Sequence, residues 1–155
     1  MINFVIRFLR QPLFIQLWAI PVWLLLGLSK LCIFQVSFKQ LAIRLGDYQA
    51  DQFWVPLITR KQIQRARLIG RLVQGVAPYT LWDSNCFPQA VTAQLLLRLY
   101  RIPSALYLGL AKTQHDPKLK AHAWLCSGQV RVTGGFSFNQ FTPVAQFITR
   151  IEPQA

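Results

Sequence analysis

Cys86 and His122 are the residues whose types, order and surroundings could perform chemistry together. Cys86 stands in "SNCFPQAVTAQLLLRLY", residues 84–100. Ser84 and Asn85 are good helix N-cap residues, Pro88 fits a first turn, and residues 90–100 carry the helix with Val91, Leu95 and Leu99 on one stripe. The first turn of a helix offers N–H groups without intrahelical partners at the positive end of the dipole, a setting that favours a nucleophilic sulfur. His122 follows in "KAHAWLCSG", residues 120–128. A strand packed on the helix N-terminus could bring its imidazole within hydrogen-bond reach of the thiol as a general base. Singly, a cysteine that starts a helix or a histidine on a strand is usually packing. Only the pair, in this order, points to thiol catalysis.

The elements that must position the pair are legible in outline. Pro103 ends the cysteine helix and an apolar strand follows within "RIPSALYLGL", residues 101–110. After a polar loop at residues 112–120, "AHAWLCS" reads as a second strand, Gly128 supplies a turn, and "QVRVTGG" returns as a third. Alternation puts His122, Trp124 and Cys126 on one strand face and Ala121, Ala123 and Leu125 on the other, so Cys126 reads as filler. Upstream, residues 56–79 have helical periodicity, with Ile63, Ala66, Ile69, Val73 and Val76 on one face and Pro78 closing the segment. "FKQLAIRLG", residues 38–46, is an amphipathic helix ending at Gly46.

Residues 13–29, "LFIQLWAIPVWLLLGLS", carry no charge and lie between Arg7 and Arg10 on one side and Lys30 on the other. That length meets the lower limit of a transmembrane helix, and it suits equally a hydrophobic helix, with Pro21 starting or kinking it, that packs on the domain or attaches to a membrane surface. A signal peptide fits less well, because no small-x-small cleavage site follows before Lys30. Cys32, within this apolar region, reads as packing. The expected organisation is one structural domain, with a hydrophobic helical region at residues 1–50 and a catalytic core at residues 51–155.

The chain combines 53% hydrophobic residues with a net charge of +12, from 17 Lys and Arg against 5 Asp and Glu. Such apolar content excludes disorder, and such charge asks for an anionic partner. The cations are scattered and no nucleic-acid-binding motif accompanies them, so a membrane surface or an acidic peptide is favoured over nucleic acid. Three cysteines, Cys32, Cys86 and Cys126, form neither a zinc set nor a disulfide framework, and no cofactor is expected.

The order of helix-starting Cys, strand, then His on a following strand resembles papain-like and transglutaminase-like enzymes. "WDSNCFPQA", "RIPSALYLGL" and "AHAWLCSGQVRVTGG" are similar to the protease half of the lasso-peptide biosynthesis B proteins, in the microcin-processing, transglutaminase-like superfamily. The similarity is specific over residues 82–135 and looser over the N-terminal helices. It implies an α+β, papain/transglutaminase-like cysteine-protease fold, with N-terminal helices followed by a Cys-bearing helix packed on a small antiparallel sheet. It implies a stand-alone leader peptidase with Cys86 as nucleophile and His122 as base. The implied partners are a ribosomally made precursor peptide, a separate leader-recognition protein and an asparagine-synthetase-like cyclase. The implied location is the cytoplasm, with membrane association through residues 13–29 as the variant.

One departure stands out. The family's Asp is expected at residues 132–135, and the five acids are Asp47, Asp51, Asp83, Asp116 and Glu152. Thr133, opposite or nearly opposite His122 in a simple hairpin, is the candidate third member, and Asn139 is the second by analogy with Cys-His-Asn proteases. Trp82 and Trp124 are expected to wall the cleft and His115 to be solvated.

Overall fold

The computed structural model describes residues 8–50, 54–113, 116–135 and 138–151. Helix α1, Leu13–Gln35, runs past the uncharged stretch and ends where Val36 turns to extended backbone. Helix α2, Phe38–Leu45, stops at Gly46, whose φ of 127° suits a glycine. Strand β1, Asp47–Gln49, follows.

Helix α3, Arg60–Val76, begins four residues later than its periodicity suggests. The reason is a capping box: Thr59 Oγ1 accepts from Gln62 N–H at 3.4 Å and Gln62 Oε1 accepts from Thr59 N–H at 2.9 Å. A 3-10 turn at Ala77–Tyr79, with Pro78 inside it, then leads away.

Helix α4, Cys86–Leu99, starts at the cysteine itself, with Asn85 as N-cap. Its buried residues include Pro88, Ala90, Ala93, Leu96 and Leu97 as well as Val91, while Leu95 and Leu99 are exposed. The expected Val91, Leu95, Leu99 stripe is therefore not the core face. The helix is enclosed by α1, α3 and the sheet, so most of its circumference is buried and no single stripe marks it.

Strands β2, Ser104–Thr113, and β3, Asp116–Ser127, are longer than expected, and most of the anticipated polar loop at residues 112–120 is strand. Lys112 pairs with Leu119 and Ala111 with Lys120. Lys112, Leu119 and Lys120 are exposed, so the polarity of the lysines reflects exposure rather than irregular backbone. Strand β4, Val130–Thr133, and strand β5, Thr142–Thr149, complete an antiparallel sheet of order β1-β5-β2-β3-β4.

The helices cover one face of this sheet. Val22 and Leu26 of α1, Ile69 and Val73 of α3, Leu96 and Leu97 of α4, and Leu106, Leu125 and Phe147 of the sheet form one continuous core. The other face carries a smaller cluster of Tyr107, Trp124 and Ile148, with Cys126 and Phe141 against it.

Candidate active site

Cys86 is the first residue of α4 and half-buried, packed against the helix-side core. The loop before it is fixed by Thr80, whose hydroxyl donates to carbonyls of Ala77 and Trp82 at 2.8 Å each or pairs with Ser84 Oγ at 2.9 Å. Gln89 Nε2 also donates to Ser84 O at 2.6 Å. Asn85 makes no side-chain cap bond, so the first-turn N–H groups beside the sulfur are left to solvent or a bound anion.

His122 shares its strand face with Trp124 and Cys126, as alternation requires. Its ring lies 5.9 Å from that of Trp124 and 4.8 Å from that of Phe141, and Trp124 in turn stacks on Tyr107 at 5.4 Å and 4°. Gly109, paired with His122 across the sheet, makes this stack feasible, since a Cβ there would stand 2.7 Å from the Trp124 ring. His122 Nε2 lies 3.1 Å from Gly134 O. A carbonyl only accepts, so this bond puts the proton on Nε2 and makes Nδ1 the basic nitrogen.

Cys86 and His122 both contribute to the lining of one cavity of about 330 Å³, whose walls Phe87, Leu108, Leu110 and Ala123 belong to the helix side of the sheet, while the His122 ring itself packs on the other face against Trp124 and Phe141. Among the described residues no hydrogen bond joins thiol and imidazole. Catalytic hydrogen bonds of this kind commonly tighten only around bound substrate.

Thr133 does not meet His122. A bulge shifts the β3–β4 register so that Thr133 pairs with Leu125. One extra residue moves its side chain from the imidazole face to the helix-side core. There Thr133 is fully buried, and its hydroxyl has no hydrogen-bond partner among the described residues. The neighbouring main chain takes the orienting position instead. Gly134 has a φ of 69°, and a Cβ on it would lie 2.6 Å from Ala123 O and 2.8 Å from Trp124 Cβ. Reading side chains alone missed this carbonyl; the available signal was a glycine pair where an acid was sought. Asn139 is exposed on the 3-10 turn Phe138–Gln140.

Trp124 is buried behind His122 rather than open to the cavity. Trp82 packs on α1, with its ring 4.7 Å from that of Trp23 and seated over Gly27. Neither tryptophan lines the cavity of Cys86. Burial pushes the Cys126 thiol up to about 11 against the opposing pull of Arg131, which leaves it a neutral packing group. Cys32 is half-buried on α1 and unpaired with another cysteine. His115 lies outside the described residues.

Residues 34–146 match the transglutaminase-like superfamily. The chain belongs to that superfamily, and its α+β architecture, a cysteine-bearing helix on an antiparallel sheet, is the one the match requires. Its class is that of cysteine peptidases and acyl transferases. No curated protein and no solved structure gives a significant match.

Proposed function

We propose that the protein is a cysteine peptidase that removes the leader from a ribosomally made precursor peptide, as in lasso-peptide maturation. The observation that carries the reading is Cys86 at the N-terminus of α4, in a cavity to whose lining His122 also contributes, with the imidazole bonded through Nε2 to Gly134 O. His122 Nδ1 takes the proton of Cys86 as Sγ attacks the scissile carbonyl. The backbone N–H groups at the start of α4 face the developing oxyanion. The imidazolium then protonates the leaving amine, and water attacks the thioester, losing its proton to His122 and restoring the thiol.

Gly134 O orients the imidazole without a negative charge, so the base works as one member of a dyad. The cationic surface suits an acidic leader or its carrier protein, and a cyclase would receive the freed amine. The expected setting is the cytoplasm. Incubating precursor peptide with wild-type protein and with Cys86→Ala tests this by mass spectrometry: the variant should lose at least about a thousandfold in cleavage rate while remaining folded. Undiminished cleavage by Cys86→Ala would sink the assignment.

A second reading draws on the neutral orienter: the domain binds precursor or cyclase without cutting. It predicts equal precursor affinity in wild type and Cys86→Ala, with no product from either. An amide or isopeptide product in place of a hydrolysed one marks acyl transfer.

A further inference from the structure

Helix α1 has two unlike faces. Ile15, Val22, Leu26 and Ser29 are buried against the domain. The opposite face presents Leu13, Leu17, Ile20, Leu24, Leu28 and Leu31, each more than half exposed, with Leu13, Leu17 and Ile20 at 74%. Phe34 continues the stripe at 77%. Between Leu13 and Phe34 every exposed residue is apolar, including Pro21. A face of that length is far outside the scattered exposed hydrophobics of an ordinary soluble surface.

We propose that this face docks the protein flat on an anionic lipid bilayer. The helix is long and apolar enough to cross one, but its inner face is tied to the domain. Ser29 Oγ and Thr92 Oγ1 of α4 are 3.0 Å apart in the core, Trp23 Nε1 donates to Tyr79 O at 3.0 Å, and the Trp82 ring fills the notch at Gly27. Crossing would either break these contacts or carry α3 and α4 into hydrocarbon. Lying in the interface keeps them and buries only the stripe.

Charge selects the occupant. The protein carries +12, Arg10 precedes the stripe, and Lys39 and Arg44 on the next helix, α2, follow it, while Lys30 within it is paired with Asp83 at 3.6 Å. A second copy docked through the same face would bring two such charges together. The seam also lacks the flanking opposite charges by which paired helices recognise each other. Anionic headgroups gain from the same charge. An apolar groove of about 630 Å³ opens beside the stripe between α1 and α3, with Ile20 and Trp23 on one wall and Arg71 on the other. An acyl chain with an anionic headgroup matches that combination.

Flotation of the full chain with phosphatidylcholine vesicles, with and without phosphatidylglycerol, tests the proposal. The protein should float with the anionic vesicles and several-fold less with phosphatidylcholine alone or at high salt. The double variant Leu17→Asp/Leu24→Asp should lose at least about tenfold in vesicle binding with its thermal midpoint little changed, because both side chains are exposed. Three results overturn it. The first is absence of flotation, including the case in which the stripe instead forms a lipid-free dimer that the double variant dissolves. The second is flotation that the double variant retains. The third is carbonate-resistant insertion with protease protection of one terminus, which marks a spanning helix.

Discussion

His122 is oriented by a main-chain carbonyl in the position where a carboxylate was anticipated, and two substitutions separate that carbonyl from its neighbour. Thr133 buries a hydroxyl with no hydrogen-bond partner among the described residues. Thr133→Val removes that group at nearly constant shape, so urea unfolding should show stability unchanged or raised by about 1 kcal/mol, and the proposed precursor cleavage should be unaffected. A folded Thr133→Val protein with lost activity would return Thr133 to the catalytic group. Gly134→Ala acts in the opposite sense. Its φ of 69° costs an alanine about 1 kcal/mol or more, and the added Cβ presses on Ala123 O and Trp124. Shifting the carbonyl by a fraction of an ångström should lower the cleavage rate by about tenfold to a hundredfold. If turnover survives in a folded Gly134→Ala variant, the Nε2 bond is not what orients the base.

At the scale of elements, α4 delivers Cys86 at one end and is closed tightly at the other. Ile102 N–H donates to Leu97 O at 2.8 Å and Arg101 N–H to Arg98 O at 2.9 Å, a Schellman ending whose left-handed residue is Arg101 at φ 52°. Glycine is the residue that such a position favours. Arg101→Gly should therefore raise stability by about 1 kcal/mol without touching the site at the far end, as measured by the denaturant midpoint. A destabilised Arg101→Gly protein would mean that the arginine side chain contributes more than its backbone strain costs. The extent of α4 was legible from Asn85, Pro88 and Pro103, but its orientation was not. Buried on most of its circumference, it carries little of the periodicity from which a packing face is read. Strands β1 and β5 escaped notice for a related reason. β1 is only three residues long, and β5 is buried over its second half, where alternation disappears.

Across the whole molecule, the sheet separates two environments. The helix side is mainly aliphatic around Phe147, and the other side stacks Tyr107, Trp124 and His122 beside Cys126. Burial holds the Cys126 thiol up to about 11 and the Tyr107 phenol up to about 12, both well above their usual values of 9.0 and 10.0. The fold therefore favours the neutral forms. Their contribution to stability is complete below about pH 9, where the unfolded thiol begins to ionise, and is lost as pH rises toward the folded values. Urea midpoints should fall between pH 9 and 11, and the decline should be shallower in Cys126→Ala. An equally steep decline in that variant places the alkaline sensitivity elsewhere.

The sequence by itself determined that Cys86 begins a helix and that His122 shares a strand face with Trp124 and Cys126, because capping, proline placement and alternation are local properties of the chain, and its resemblance to transglutaminase-like enzymes implied the α+β class. It also marked α1 as apolar, though not which face stays uncovered. Tertiary structure alone decided the rest. A single bulge in β4 sent Thr133 into the core and left Gly134 O to hold His122, and Trp82 went to α1 instead of the cavity. Such outcomes depend on register and on packing between distant segments, where one residue of slip exchanges the two faces of a strand.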